Sequence, residues 1–160
     1  MMAEYFPDIR DHWAGQKGSL PLAFSASLVT IEDARADNRF EPDAPATRLE
    51  AVIWLVRAVN PALETRLRLK EERQRGGWSE EAQAAVVTGL ENIRWPFRDT
   101  VAEEVKSYVI QGIKSGLING FPDGRFGGNE SVTRGQMVAM LQRLQPIAAL
   151  SAQPPRLKSP

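Results

Sequence analysis

Apolar residues recur at the spacing of amphipathic helices in three stretches of the chain, and this spacing predicts an all-α fold. One stretch carries its apolar stripe at Val101, Val105, Tyr108, Val109, Ile113 and Leu117. The other two follow Thr47 and Thr133, and their stripes correspond position by position: Ala51, Trp54, Leu55 and Ala58 against Met137, Met140, Leu141 and Leu144. The stretch after Thr47 is apolar on further sides as well, so we expect its helix to be the more deeply buried.

Capping residues predict where these helices begin. In a capping box, a threonine hydroxyl and a Glu or Gln three residues later satisfy backbone amides of the first helical turn. Three such boxes occur in the sequence: Thr47-x-x-Glu50, Thr133-x-x-Gln136 and Thr100-x-x-Glu103. Gly116 is placed to end the helix that the third box starts, because glycine readily takes the left-handed conformation.

The chain also repeats a longer motif. RFEPDAPATRLE begins at Arg39 and RFGGNESVTRGQ begins at Arg125, with Arg-Phe and Thr-Arg at the same spacing in both. Each segment follows a Phe-x-Asp and a helix-prone stretch, which indicates two helix–loop–helix units. We assign residues 1–60 to the first repeat and residues 95–146 to the second repeat.

Residues 61–94 have neither Phe-x-Asp nor an Arg-Phe turn. They are highly charged and helix-prone, with a break at Gly76-Gly77 and a second helix start at Ser79. We predict a helical insert here. Residues 147–160 are rich in proline, and we predict a flexible tail.

Composition narrows the class of protein. The 20 basic and 20 acidic residues balance, so we expect no nucleic-acid partner. The chain has no cysteine, which excludes disulfides, thiol chemistry and cysteine-based zinc sites. No apolar run is long enough to span a membrane. The N-terminal residues lack the pattern of a signal peptide.

No motif indicates catalysis. The segment DARADNRFEPD lacks the residue order of a calcium loop, and Asp37-Asn38 and Asp123-Gly124 are better explained as turn residues that tolerate positive φ. Adjacent glutamate pairs do not face each other on a helix. No nucleophile elbow, P-loop or dinucleotide fingerprint is present. We therefore expect a non-catalytic protein with no metal and no cofactor.

Arg48 and Arg134 each follow a cap directly, at the first helical position. A cation is unfavourable there by about 0.3–1 kcal/mol, because free amides and the positive end of the helix dipole meet at that point. Finding arginine twice suggests an external anion, such as a carboxylate-bearing sugar, gripped by amides and guanidinium together. The alternative is an internal ion pair, for instance with Asp43 or Glu130.

His12 and Trp13 form the other notable pair. A single histidine cannot build a metal cluster. We expect His12 to hold a loop and Trp13 to pack beneath it. The alternative for Trp13 is an indole face that flanks a sugar ring.

The ordered motifs resemble the S-layer homology family. FPDIRDHWA, a helix and NRFEPDAPATRLEAVIWLVRAV follow the family order of Phe-x-Asp, His-Trp-Ala, Phe-x-Pro and Thr-Arg-Ala-Glu. FRDTVAEEVKSYVIQGIKSGLINGFPDGRFGGNESVTRGQMVAMLQRL resembles another copy, with Glu103-Glu104 where His-Trp would stand. Together the two copies cover roughly two-thirds of the chain.

The resemblance implies an all-α bundle of pseudo-symmetric helix–loop–helix repeats, commonly three, with the insert here completing the bundle. It also implies non-covalent binding to anionic, often pyruvylated, cell-wall polysaccharide linked to peptidoglycan. The family's ligand-contacting arginine corresponds to Arg48 and Arg134, and its tryptophan to Trp13. We add to the candidate ligand-binding set the residues that cap and present these helix ends: Thr47, Thr133, Glu50 and Gln136.

We therefore predict a surface-anchoring module located at the cell surface or cell wall, although the residues also allow a cytoplasmic location. Useful anchoring needs several grooves acting together, supplied by a second copy or by further repeats in trans. The main alternative is a protein-interaction or assembly module that kept the scaffold without binding glycan. Another is a targeting domain that belongs to a wall hydrolase.

Overall fold

The computed structural model describes residues 2–63 and 94–151. The α-helices that lie wholly within them are α1 (Met2–Tyr5), α2 (Trp13–Gln16), α3 (Ser19–Ser25), α4 (Arg48–Val59), α5 (Glu103–Lys114) and α6 (Arg134–Ser151). Short 3-10 helices span Pro7–Ile9, Ile31–Asp33 and Ala36–Asn38. The β-structure of the described residues is an isolated antiparallel bridge between Thr47 and Ser131. The all-α prediction is confirmed, while the predicted insert helices and most of the tail lie outside the described residues.

Two of the three predicted capping boxes form. The Thr47 hydroxyl accepts from the Glu50 amide at 3.2 Å, and the Glu50 carboxylate accepts from the Thr47 amide at 2.7 Å. Thr133 and Gln136 make the same pair of bonds at 3.2 and 3.1 Å. Both helices therefore begin at the arginine that follows the cap.

The third box was a wrong prediction. Helix α5 begins at Glu103, and its N-cap is Ala102, which makes no side-chain capping bond. The Thr100 hydroxyl instead donates to the Val101 carbonyl at 3.2 Å. Such a local bond to the backbone competes with capping.

The first repeat is also less regular than predicted. Where one helical stretch was expected, α2 and α3 are separated by Gly18, which has φ +79°. Glycine takes this left-handed conformation without steric cost, so the chain changes direction there. At its other end, α6 continues through Pro146 to Ser151, beyond the predicted end at Gln145.

Each Phe-x-Asp motif ties the start of its repeat to its turn. The Asp8 carboxylate accepts from the amides of Phe40 at 3.1 Å and Glu41 at 2.8 Å. In the second repeat, the Asp99 carboxylate accepts from the two equivalent amides at 2.7 and 2.8 Å. Burial by itself raises the pKa of each carboxyl, but these hydrogen bonds together outweigh it, so the pKa of Asp8 and of Asp99 lies below its usual value.

These two carboxylates predict a loss of stability in acid. A folded pKa below the unfolded value of about 3.9 contributes stability above that pH, and the contribution is lost as the pH falls through the folded pKa. We expect the urea midpoint to drop as the pH is lowered from 6 towards about 3, and to drop less in the Asp8→Asn/Asp99→Asn variant. The exposed Asp11→Asn is the matched control and should follow wild type. An equally steep drop in the double variant would contradict the assignment.

Helix α4 packs against both α5 and α6 and forms the centre of the larger core. Its residues Val52 and Val56 are fully buried, which confirms that α4 is the more deeply buried of the two closing helices. A smaller cluster in the first repeat contains Phe6, Ile9, Ala14, Leu20 and Val29.

The N-terminus of α4 is joined to the turn of the second repeat, residues 126–132. The amides of Arg48 and Leu49 donate to the carbonyls of Glu130 and Gly128 at 2.8 and 3.0 Å. In return, the amide of Val132 donates to the carbonyl of Ala46 at 3.0 Å. The first helical amides of α4, which the sequence left available for an anion, are therefore satisfied by the second repeat.

Candidate functional site

Arg48 lies at the contact between the two repeats and is only 7% exposed. Its Nη2 donates to the carbonyl of Asn119 at 2.6 Å. The guanidinium carbon lies 4.8 Å from the ring centre of Phe121 and 5.7 Å from that of Phe126. Its Nε is buried and has no hydrogen-bond partner in the part of the chain that the structure describes. Burial lowers the pKa of Arg48, because a low-dielectric site disfavours the charged form.

Neither acid that the sequence offered as an internal partner is paired with Arg48. Asp43 lies 3.1 Å from Nε2 of His12, and Glu130 forms an ion pair with Arg125. Glu130 favours the charge of Arg48 only at longer range. Among the described residues, Arg48 is thus a buried cation without an ion-pair partner, an arrangement that costs stability.

Arg134 has the same place in its repeat and a different environment. It is exposed at the first position of α6, and its side chain makes no hydrogen bond or ion pair with the described residues. The amides of Arg134 and Gly135 likewise donate to no described acceptor. Thr133 and Gln136 cap this helix without covering it, so its N-terminus is open.

Trp13 does not pack beneath a loop as expected, because 58% of it is exposed. It is the first residue of α2, and its ring centre lies 5.4 Å from that of His12. His12 does hold the loop: its Nδ1 accepts from the Ala14 amide at 3.2 Å, while its Nε2 reaches Asp43. The indole is therefore available to a ligand.

The first repeat contains a pocket of about 200 Å³ that the sequence did not predict. This volume is below the roughly 300 Å³ usual for small-molecule sites. Arg35 lines the pocket and pairs with Glu41 and Glu50, each at 3.0 Å. Of the three carboxylates that line the pocket, Asp33 pairs with Arg57, and Arg35 faces both Glu41 and Glu50, so the pocket is negative and does not favour an anion. The lining residues are Asp33, Arg35, Phe40, Glu41, Pro42, Ala44, Ala46, Glu50 and Trp54.

The internal repeat could have identified Arg35 as a site residue from the sequence. The Arg35 amide donates to the Arg39 carbonyl at 2.8 Å, and the Phe121 amide donates to the Arg125 carbonyl at 2.8 Å. Arg35 therefore occupies the position of Phe121. Aligning the two turns backwards from Arg-Phe would have placed a charge where the second repeat has an aromatic ring.

The described ranges contain neither a metal site nor a membrane-spanning helix. No group of three or more His, Asp or Glu side chains within residues 2–63 and 94–151 is arranged to hold a metal ion. In the same ranges, none of the helices combines the length and apolar character that crossing a bilayer requires.

The helices and the matching hydrogen bonds of the turns at residues 40–46 and 126–132 define a helical protein with an internal repeat. Residues 96–138 match the family model of the S-layer homology domain, from just before the second Phe-x-Asp into α6. Over these residues the second repeat is similar to an S-layer homology domain. No curated protein and no solved structure matches the chain significantly. S-layer homology domains in general anchor proteins at the cell surface by binding cell-wall polymers, and the match supports this general role for the chain.

Proposed function

We propose that the protein is a non-catalytic anchor that binds an anionic, pyruvylated cell-wall polysaccharide linked to peptidoglycan. The observation that carries this proposal is the exposed guanidinium of Arg134. It stands at the open N-terminus of α6, without an acidic partner among the described residues, inside the segment that matches the S-layer homology family.

The chemistry of this helix end suits a carboxylate. Backbone amides and the positive end of the helix dipole favour an anion, and a guanidinium can hold both carboxylate oxygens. The capping bonds between Thr133 and Gln136 keep the first turn in place. The exposed Trp13 offers an apolar ring face to a sugar.

In the first repeat, the residues equivalent to Arg134, Thr133 and Gln136 are not exposed at an open helix end. Arg48, Thr47 and Glu50 lie at or beside the contact between repeats, where Arg48 supplies a positive charge that no described carboxylate pairs. Their direct contact with ligand stays a prediction. One charge-assisted contact is worth about 1.5–3 kcal/mol, so firm anchoring requires several sites or several chains.

Retention on purified wall sacculi tests this function. We expect wild type to bind sacculi that carry their polysaccharide, and to bind poorly once acid extraction has removed it. Arg134→Ala should weaken binding by about tenfold or more, because it removes a charge-assisted contact. Arg134→Lys should restore only part of the affinity, since lysine keeps the charge but not the two-pronged geometry.

Arg10→Ala is the matched control, because it also removes one exposed arginine, but from the first repeat and away from the N-terminus of α6. It should bind like wild type. Equal retention of wild type and Arg134→Ala, or equal binding to extracted sacculi, would contradict the polysaccharide proposal.

An assembly module is the second candidate. The negative pocket of the first repeat and the burial of Arg48 against the second repeat favour contacts between proteins over contacts with an anionic glycan. Wild type that self-associates but ignores sacculi would support this function instead.

A further inference from the structure

Helix α6 exposes the face that α4 buries. Both helices begin at the arginine of Thr-Arg, so their positions correspond directly. On α4, Val52 is fully buried and Leu55 packs against the larger core. On α6, the equivalent Val138 and Leu141 are 64% and 45% exposed. We call the exposed set on α6 the open face: Arg134, Val138 and Leu141.

The backbone shows the same contrast. The first two amides of α4 donate to carbonyls in the second-repeat turn, whereas the first two amides of α6 donate to no described acceptor. The N-terminus of α4 thus contacts the second repeat. The N-terminus of α6 has the equivalent amides, the equivalent arginine and an apolar stripe, and all of them are exposed.

A matching acceptor exists on the first repeat. The carbonyls that receive α4 belong to Gly128 and Glu130, and their counterparts in the first-repeat turn, residues 40–46, are Pro42 and Ala44. The two turns have the same internal bond, from Ala44 to Glu41 at 3.0 Å and from Glu130 to Gly127 at 3.1 Å. The carbonyls of Pro42 and Ala44 accept from no described donor.

Charge supports the match. Pro42 and Ala44 line the 200 Å³ pocket in which Glu41 and Glu50 outnumber Arg35. A guanidinium that arrives with the open face would meet excess negative charge, and the apolar Trp54 in the same pocket would meet apolar side chains.

We propose that the open face of one copy docks head to tail on the first-repeat turn of a second copy. This contact would repeat between chains what α4 and the second repeat do within one chain. A second copy is the fitting partner because the same chain carries both the donor end and the acceptor end. Docking would bury Arg134, so it would compete with the polysaccharide proposed above, and it does not depend on that proposal.

Sedimentation velocity of the full chain, without polysaccharide and over rising concentration, tests the inference. We expect wild type to associate. Val138→Glu on the open face and Ala44→Lys on the first-repeat turn should each raise the dissociation constant by at least about tenfold. Leu141→Glu serves as a second open-face variant, and circular dichroism should show that all of them remain folded. Thr100→Glu, exposed in the loop before α5, is the matched control and should associate like wild type.

Mixing the two defective variants makes the test specific. Val138→Glu keeps an intact first-repeat turn and Ala44→Lys keeps an intact open face, so the mixture should recover a heterodimer that neither variant forms alone. A wild-type monomer at every concentration would overturn the inference. So would association that both variants leave unchanged, or a mixture that fails to recover. Sacculus binding is measured separately, so either proposal can fail without the other.

Discussion

Truncating Phe126 to alanine is expected to lower the free energy of unfolding by about 3–5 kcal/mol, the range seen for fully buried aromatic residues. Phe126 is 0% exposed and belongs to the larger core. Its ring centre lies 6.3 Å from that of Trp95 and 5.5 Å from that of Phe97. Surrounding helices can close only part of the resulting cavity, so the lost contacts are not replaced. Urea denaturation followed by circular dichroism measures the change.

The internal repeat supplies the control for this prediction. Phe40 is the equivalent residue of the first repeat, and its ring lies 5.5 Å from Phe6 and 6.3 Å from Trp54. Phe40 is only half-buried and lines the pocket, so Phe40→Ala should cost clearly less than Phe126→Ala. Equal losses at the two positions would show that the repeats contribute equally to the core, contrary to their burial.

Replacing Asp33 with alanine should also cost about 3–5 kcal/mol, because it breaks a buried ion pair by removing one partner. The side chains of Asp33 and Arg57 are 7% and 4% exposed, and Oδ2 lies 2.7 Å from Nη1. Burial by itself lowers the pKa of Arg57, but the charge of Asp33, together with interactions with Tyr108, raises it overall. Asp33 also accepts from the Thr30 amide at 2.6 Å. Its loss would leave the buried guanidinium with much less compensation.

A double variant separates charge from packing. Asp33→Leu/Arg57→Met removes both charges together, so we expect its stability to lie closer to wild type than that of Asp33→Ala. Chemical denaturation of the two variants under identical conditions makes the comparison. A double variant as unstable as the single one would show that hydrogen bonds and shape, rather than the unpaired charge, dominate at this site.

Local features of the fold could be predicted well from the sequence. The boxes at Thr47 and Thr133 depend on residues three positions apart, and periodicity alone indicated the burial of α4. Asp37, Asn38 and Gly124 have positive φ, as their turn chemistry predicted. The box at Thr100 failed because a nearer backbone acceptor competed for the hydroxyl.

The candidate site could not be predicted in the same way, because its contacts join residues that are far apart in the sequence. The repeated Asp of Phe-x-Asp was visible in the sequence, but its role in tying each turn to its repeat requires bonds across about thirty residues, which spacing alone does not reveal. The pocket around Arg35 likewise forms only where two turns of the first repeat approach α4.

What the sequence by itself determined is the pair of capped helices, each opening on an arginine, because a cap needs only its own neighbours along the chain. Only the tertiary structure decided that the two arginines differ. Arg48 packs against the second repeat and is buried over Phe121 and Phe126. Arg134 has no equivalent neighbour within residues 2–63 and 94–151 and is exposed. Burial and electrostatics depend on what packs against a residue, so identical local motifs can end in opposite environments.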